Sequence, residues 1–133
     1  MGDRMRLLAL TGISRESLKE LTTRHIRTFE FHSANNVLSF SGISPGDMIF
    51  LSEVPPSDLA QGICGCIVIV RGYDTRMQHV YYGSGNYNEE AETMSARAQL
   101  AYHAQGKIKS VEIKDIYKPV YVDVIEVKFC EAK

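Results

Sequence analysis

Hydrophobic positions along this chain change period several times, and each change marks an element. Arg6 to Thr11 reads as a first strand, bounded by Gly12. Ser14 is placed to cap a helix running to about Arg24, with Glu16 in its first turn and Leu18 and Leu21 on its apolar stripe. From Ile26 to His32 the period switches to two. Phe29 and Phe31 then share one face, and Thr28, Glu30 and His32 share the other. Ser33 to Ser41 is small and polar, with room for a single helical turn. Pro45-Gly46-Asp47 is a turn signal with proline at the second turn position, and it leads into the apolar strand Met48 to Leu51. Pro55-Pro56 breaks that strand.

Ile63 to Tyr73 is a continuous, β-branched apolar run, as in a central strand buried on both sides. Met77 to Tyr82 reads as its hairpin partner or a neighbour, and Gly83 to Asn86 as a loop. Residues 88–104 carry two signals. Asn86 followed by Glu89 resembles a capping box, the alanines favour helix, and Gly106 stands where a helix-ending glycine belongs. Against that, Ala96, Ala98, Leu100, Tyr102 and Ala104 alternate with Arg97, Gln99 and His103, a strand pattern. The reading leans to helix, with Glu89, Glu90 and Glu92 offsetting the dipole at its start. Lys107 to Lys114 and Pro119 to Phe129 are the last two strands. Helices do not alternate with the strands, so a doubly wound sheet is excluded. The pattern predicts an α+β, mostly β fold: one domain over 1–133, a small β-barrel with one or two flanking helices.

Composition narrows the function classes. With 133 residues and 44% hydrophobic positions, the chain can bury a sizeable core. Fifteen Lys and Arg against sixteen Asp and Glu leave a net charge of −1, which excludes a globally basic nucleic-acid coat protein. No apolar run reaches the roughly 18–20 residues that cross a bilayer, and no leader pattern is visible, so a soluble, cytoplasmic protein is expected. Cys64 and Cys66 would share one face of a strand, but Cys130 is the one remaining cysteine and no histidine pair completes a zinc set. Three reduced thiols, no metal and no cofactor are expected.

The segment His25-Ile26-Arg27-Thr28-Phe29-Glu30-Phe31-His32, directly after the first helix, resembles the signature of ASCH domains, relatives of the PUA fold. That signature is Gly-x-Lys-x-x-Glu-x-Arg. Glu30 falls on its Glu, Arg27 on its Lys, His32 on its Arg and His25 on its Gly. Gly42 to Leu51 looks like the Gly-Asp turn opening the next barrel strand, and Gly62 to Val70 like the strand after it. The whole chain also looks like a family of uncharacterised archaeal proteins with a similar Leu-Thr-Gly-Ile-Ser segment, here Leu10 to Ser14.

The resemblance implies a PUA/ASCH-like module that binds RNA or a nucleotide beside residues 27–32. Physically, Arg27 at the strand start can hold a phosphate, with Glu30 as its orienting partner and His32 beside it. Some ASCH relatives are amidohydrolases of modified cytidine, which implies Thr28 and Glu30 as catalytic groups. That chemistry needs an amine able to lose its proton, and Arg27 replaces the lysine. A second cluster interleaves Arg71, Tyr73, Arg76, His79, Tyr81, Tyr82 and Tyr87, a pattern suited to stacking unpaired bases. Of these, Arg71, Tyr73 and Arg76 join Arg27, Glu30 and His32 as candidate ligand- or RNA-binding residues. Lys107, Lys109, Lys114 and Lys118, diluted by Glu112 and Asp115, read as a solvated face. A protein-interaction module without a small-molecule site is the remaining alternative.

Overall fold

The computed structural model describes residues 4–84, 87–112 and 119–129, with residues 34–35 and 77–93 described by backbone alone. Six strands and two short α-helices form the frame. In chain order they are β1 (Met5–Leu10), α1 (Arg15–Arg24), β2 (Ile26–Phe31), α2 (Ala34–Ser39), β3 (Met48–Leu51), β4 (Cys64–Ser84), β5 (Tyr87–Glu112) and β6 (Val120–Val127). The strands lie in the order β2-β5-β4-β3-β1-β6, and β5 pairs with β6 as well, so the hydrogen bonding runs in a ring. Among the described residues only β1 and β3 pair in parallel. The α+β, mostly β class is as expected.

The length of β5 makes the ring possible. One edge of β5 pairs with β4 from Tyr87 to Lys107. Its other edge takes β2 along Ala96–Ala101 and then β6 along Gln105–Glu112. Register shifts at Ile67/Val68 and Val70/Gly72 on β4, and at Ile108/Ser110 on β5, bend the long strands.

The ring separates two apolar clusters. Leu7, Ala9, Phe50, Ile67, Ile108, Val122 and Val124, drawn from β1, β3, β4, β5 and β6, pack against one another on one face. On the other face Leu8, Leu10, Leu51, Val68, Val70 and Leu100 meet Leu21 of α1, Val37 of α2 and the rings of Phe29, Phe31 and Phe40. This two-sided burial explains why β1, β3 and the start of β4 read as unbroken apolar runs.

Several expected elements are confirmed. Ser14 caps α1 by accepting the Ser17 N–H at 3.1 Å, and Leu21 is its fully buried residue. The Ser44–Asp47 turn closes through the Asp47 N–H to the Ser44 carbonyl at 3.0 Å. Gly46 sits at φ 95°, the left-handed position that a proline-glycine turn of this kind assigns to glycine. In β2, Phe29 and Phe31 are buried and Thr28 and Glu30 are exposed, as the period of two requires, and His32, one residue past the strand, is exposed as well.

Three expectations are corrected. Residues 88–104 are not helical; they belong to β5. Ala96, Ala98 and Leu100 are buried in the apolar cluster beneath β2, so alternate burial outweighs the helix propensity of alanine. Met77 to Tyr82 is no partner strand but the continuation of β4, and Lys107 to Glu112 is the continuation of β5. Cys64 is disulfide-bonded rather than reduced, while Cys66 is a buried free thiol and Cys130 lies outside the described residues. Burial pushes the Cys66 thiol up, and the Thr22 hydroxyl offsets this only in part.

The helix-to-strand turn between α1 and β2 rests on His25. Its φ is 69°, in the left-handed region, and its N–H returns to the Leu21 carbonyl at 2.8 Å. Its own carbonyl accepts the Tyr102 N–H at 2.6 Å, which joins the turn to β5. A non-glycine residue in this conformation costs about 1 kcal/mol or more. His25→Gly is therefore expected to stabilise the fold by up to about 1 kcal/mol, less the entropy glycine adds to the unfolded chain. The check is the midpoint of urea unfolding, which should rise.

Candidate functional site

An open hollow of about 670 Å³ lies between β2 and the N-terminal ends of both helices. The loop after β1 supplies Thr11, Gly12 and the cap residue Ser14, α1 contributes Ser17, and α2 contributes Asn36. The whole run from Arg27 to Ser33 lines it. The motif strand predicted from sequence thus forms a wall of this hollow.

Beneath β2 the core is aromatic, and Phe29 and Phe31 are only 4% exposed. The rings of Phe29 and Phe31 stack at 6.0 Å and 9°, Phe31 meets Phe40 at 5.5 Å, and Phe40 meets Tyr73 at 5.2 Å. At the other end the Arg27 guanidinium lies 4.6 Å over the Phe29 ring. Arg27 Nε donates to Glu20 Oε2 at 2.8 Å. The expected Arg27–Glu30 pair is therefore corrected: Arg27 is on the Phe29 side of the strand, and the carboxylate within its reach is Glu20 of α1. Glu30, on the other side, approaches His32 at 3.6 Å and Arg97 Nη2 at 4.0 Å.

A second hollow, of about 320 Å³, adjoins the first and shares Glu30 and His32 with it. Its other charged walls are Asp74 and Arg76 of β4 and Arg97 of β5. Arg76 Nε contacts Asp74 Oδ2 at 3.2 Å. Strand pairing brings these residues together, since Asp74 is opposite Arg97 in the β4–β5 ladder and Glu30 is opposite Arg97 in the β2–β5 ladder.

The six candidates divide accordingly. Arg27, Glu30 and His32 line the first hollow, and Glu30, His32 and Arg76 line the second. Tyr73 packs on Phe40, and both Tyr73 and Arg71 are exposed and line neither hollow. Of the wider Tyr-rich segment, the side chains of His79, Tyr81, Tyr82 and Tyr87 lie outside the described residues. Thr28 and Glu30 line the same hollow, but the basic group at the motif position is a guanidinium already bonded to Glu20.

Sequence reasoning missed Arg97, Glu20 and Asn36. Arg97 becomes legible only once residues 88–104 are read as a strand. Asn36 is buried, and its amide bridges α2 to the loop after β1. Its Oδ1 accepts the Thr11 N–H at 3.0 Å and its Nδ2 donates to the Thr11 carbonyl at 2.8 Å. That clasp holds one wall of the first hollow in place. Among the described residues no helix is long and apolar enough to cross a membrane.

Comparison with known proteins agrees with the archaeal resemblance read from the sequence. The chain is 27% identical over 116 residues to the uncharacterised protein MJ0105 of Methanocaldococcus jannaschii, covering 87% of this chain and 72% of that one. No solved structure matches it. A family model described as a protein of unknown function, DUF473, matches residues 5–122, and the chain belongs to that family.

Proposed function

We propose that this chain is an RNA- or nucleotide-binding module of PUA/ASCH-like type. The observation that carries the reading is the pair of adjoining hollows along β2, lined by a mixed set of cationic, carboxylate and hydroxyl groups. Arg, Ser and Thr groups suit ribose and phosphate. Two further features support it. The closed course of the strands is compatible with a small barrel. The left-handed His25 stands where the ASCH signature carries glycine, the residue that takes this conformation at least cost.

Arg76 faces Asp74, Arg27 is bonded to Glu20, and the chain's net charge is −1. Few phosphates can be neutralised, so affinity for nucleic acid should be modest and its salt dependence shallow. The test is fluorescence anisotropy with labelled RNA and DNA pools at about 50 and 200 mM salt. Binding of RNA in preference to DNA, with a slope equivalent to only about two or three counterions, is the expected result. No binding of either pool at the lower salt would remove the nucleic-acid reading in favour of a protein-interaction module.

A further inference from the structure

We infer that the anionic group of the bound nucleotide is held by Arg76 and Arg97, at the base of the long β4–β5 ribbon, and not by Arg27 on the motif strand. The inference rests on the nucleotide reading above and assigns its phosphate end. A guanidinium has five N–H donors, so the decisive question is how each arginine is already engaged. The Arg27 side chain is 29% exposed, its Nε is bonded to Glu20 at 2.8 Å, and its planar face is covered by Phe29. It acts as a fixed wall of the larger hollow.

Arg76 and Arg97 are more open to solvent. Their side chains are 62% and 58% exposed. Arg76 reaches Asp74 through Nε at 3.2 Å, on one edge of its fork, and Arg97 reaches Glu30 at 4.0 Å, too long for a hydrogen bond. Both border the smaller hollow, whose 320 Å³ has room for a phosphate, and that hollow opens beside the larger one across Glu30 and His32. A ligand seated in the larger hollow can therefore extend an oxyanion past His32 to two donor forks. Asp74 and Glu30 stay close by, so the gain is limited: a preference of about three- to tenfold for phosphate is the scale of a partly screened, charge-assisted contact.

The experiment is isothermal titration of the full chain with the four ribonucleoside 5′-monophosphates and with the matching nucleosides. The parent should bind at least one monophosphate about three- to tenfold more tightly than its nucleoside. Arg76→Gln/Arg97→Gln should bring that monophosphate down to the level of its nucleoside, and Arg76→Lys/Arg97→Lys should restore part of the preference. Arg27→Gln should weaken both ligands alike and keep their ratio. If Arg27→Gln removes the preference and the double Gln variant keeps it, the assignment fails while the nucleotide reading survives. Equal affinity of the parent for both ligand types overturns the assignment in the same way. Binding of neither type overturns the nucleotide reading, and the assignment with it.

Discussion

Gly65→Ala is expected to destabilise the protein by about 2–3 kcal/mol, although alanine is among the smallest changes a chain can carry. Gly65 has no left-handed φ, so the effect is steric. A Cβ there would collide with the Leu51 carbonyl oxygen and with the edge of the Phe50 ring. Its cross-strand partner is Gly106, where a Cβ would press on the Ile67 side chain at 3.0 Å and on Phe50 at 3.3 Å. This glycine pair leaves the space that the fully buried Phe50 ring fills. At roughly 3–5 °C per kcal/mol for a chain of this size, Gly65→Ala should lower Tm by about 10 °C in a thermal melt. Gly106→Ala should cost less, because its neighbours are side chains able to rotate. Phe50→Leu should relieve Gly106→Ala more than Gly65→Ala, since the Leu51 backbone stays where it is. A Gly65→Ala variant melting with the parent would show that β3 and β4 are less tightly apposed than the structure has them.

Neither glycine reveals this role in the sequence. Gly65 reads there as a spacer between two cysteines and Gly106 as a helix end. The need for both arises from Phe50, fifteen residues before one and fifty-six before the other. Close approach across a sheet is a property of register, and register is set by the whole ring. By contrast, local chemistry was legible. Ser14 announced the start of α1, Pro45-Gly46 the turn before β3, and the alternation of Phe29 and Phe31 the orientation of β2.

The same distinction runs through the site. Arg27, Glu30 and His32 were found because one strand carries them. Their partners were not, because Glu20 belongs to the helix before and Arg97 to a strand nearly seventy residues on. The expected Arg27–Glu30 pair failed for a reason present in the period of two itself. Residues 27 and 30 differ by an odd number, so the strand turns them to opposite sides. Reading 88–104 as helix hid Arg97 as well, since the helix and strand signals overlapped there and only burial against β2 decides between them.

Asn36→Asp is expected to cost about 3 kcal/mol or more at neutral pH, with a pH dependence that reports its cause. The substitution keeps shape and replaces the Nδ2 donor with an oxygen. That oxygen would face the Thr11 carbonyl, which Asn36 now satisfies at 2.8 Å, at a residue only 5% exposed. An ionised carboxylate there is desolvated and repelled, so its pKa in the folded state rises above the unfolded value. The folded variant then binds more protons than the unfolded one, and stability falls as pH rises. Lowering the pH through the raised value should restore much of the loss, because a protonated carboxyl can donate to Thr11 as the amide does. Denaturant titrations from pH 4 to 8 would show a parent-minus-variant gap that widens with pH. A gap of constant size would mean that the carboxylate has escaped to solvent, and with it that the clasp between α2 and the Thr11 loop is loose. That outcome would bear on function as well as stability, because Thr11, Gly12 and Asn36 line the larger hollow together with Arg27 and Glu30.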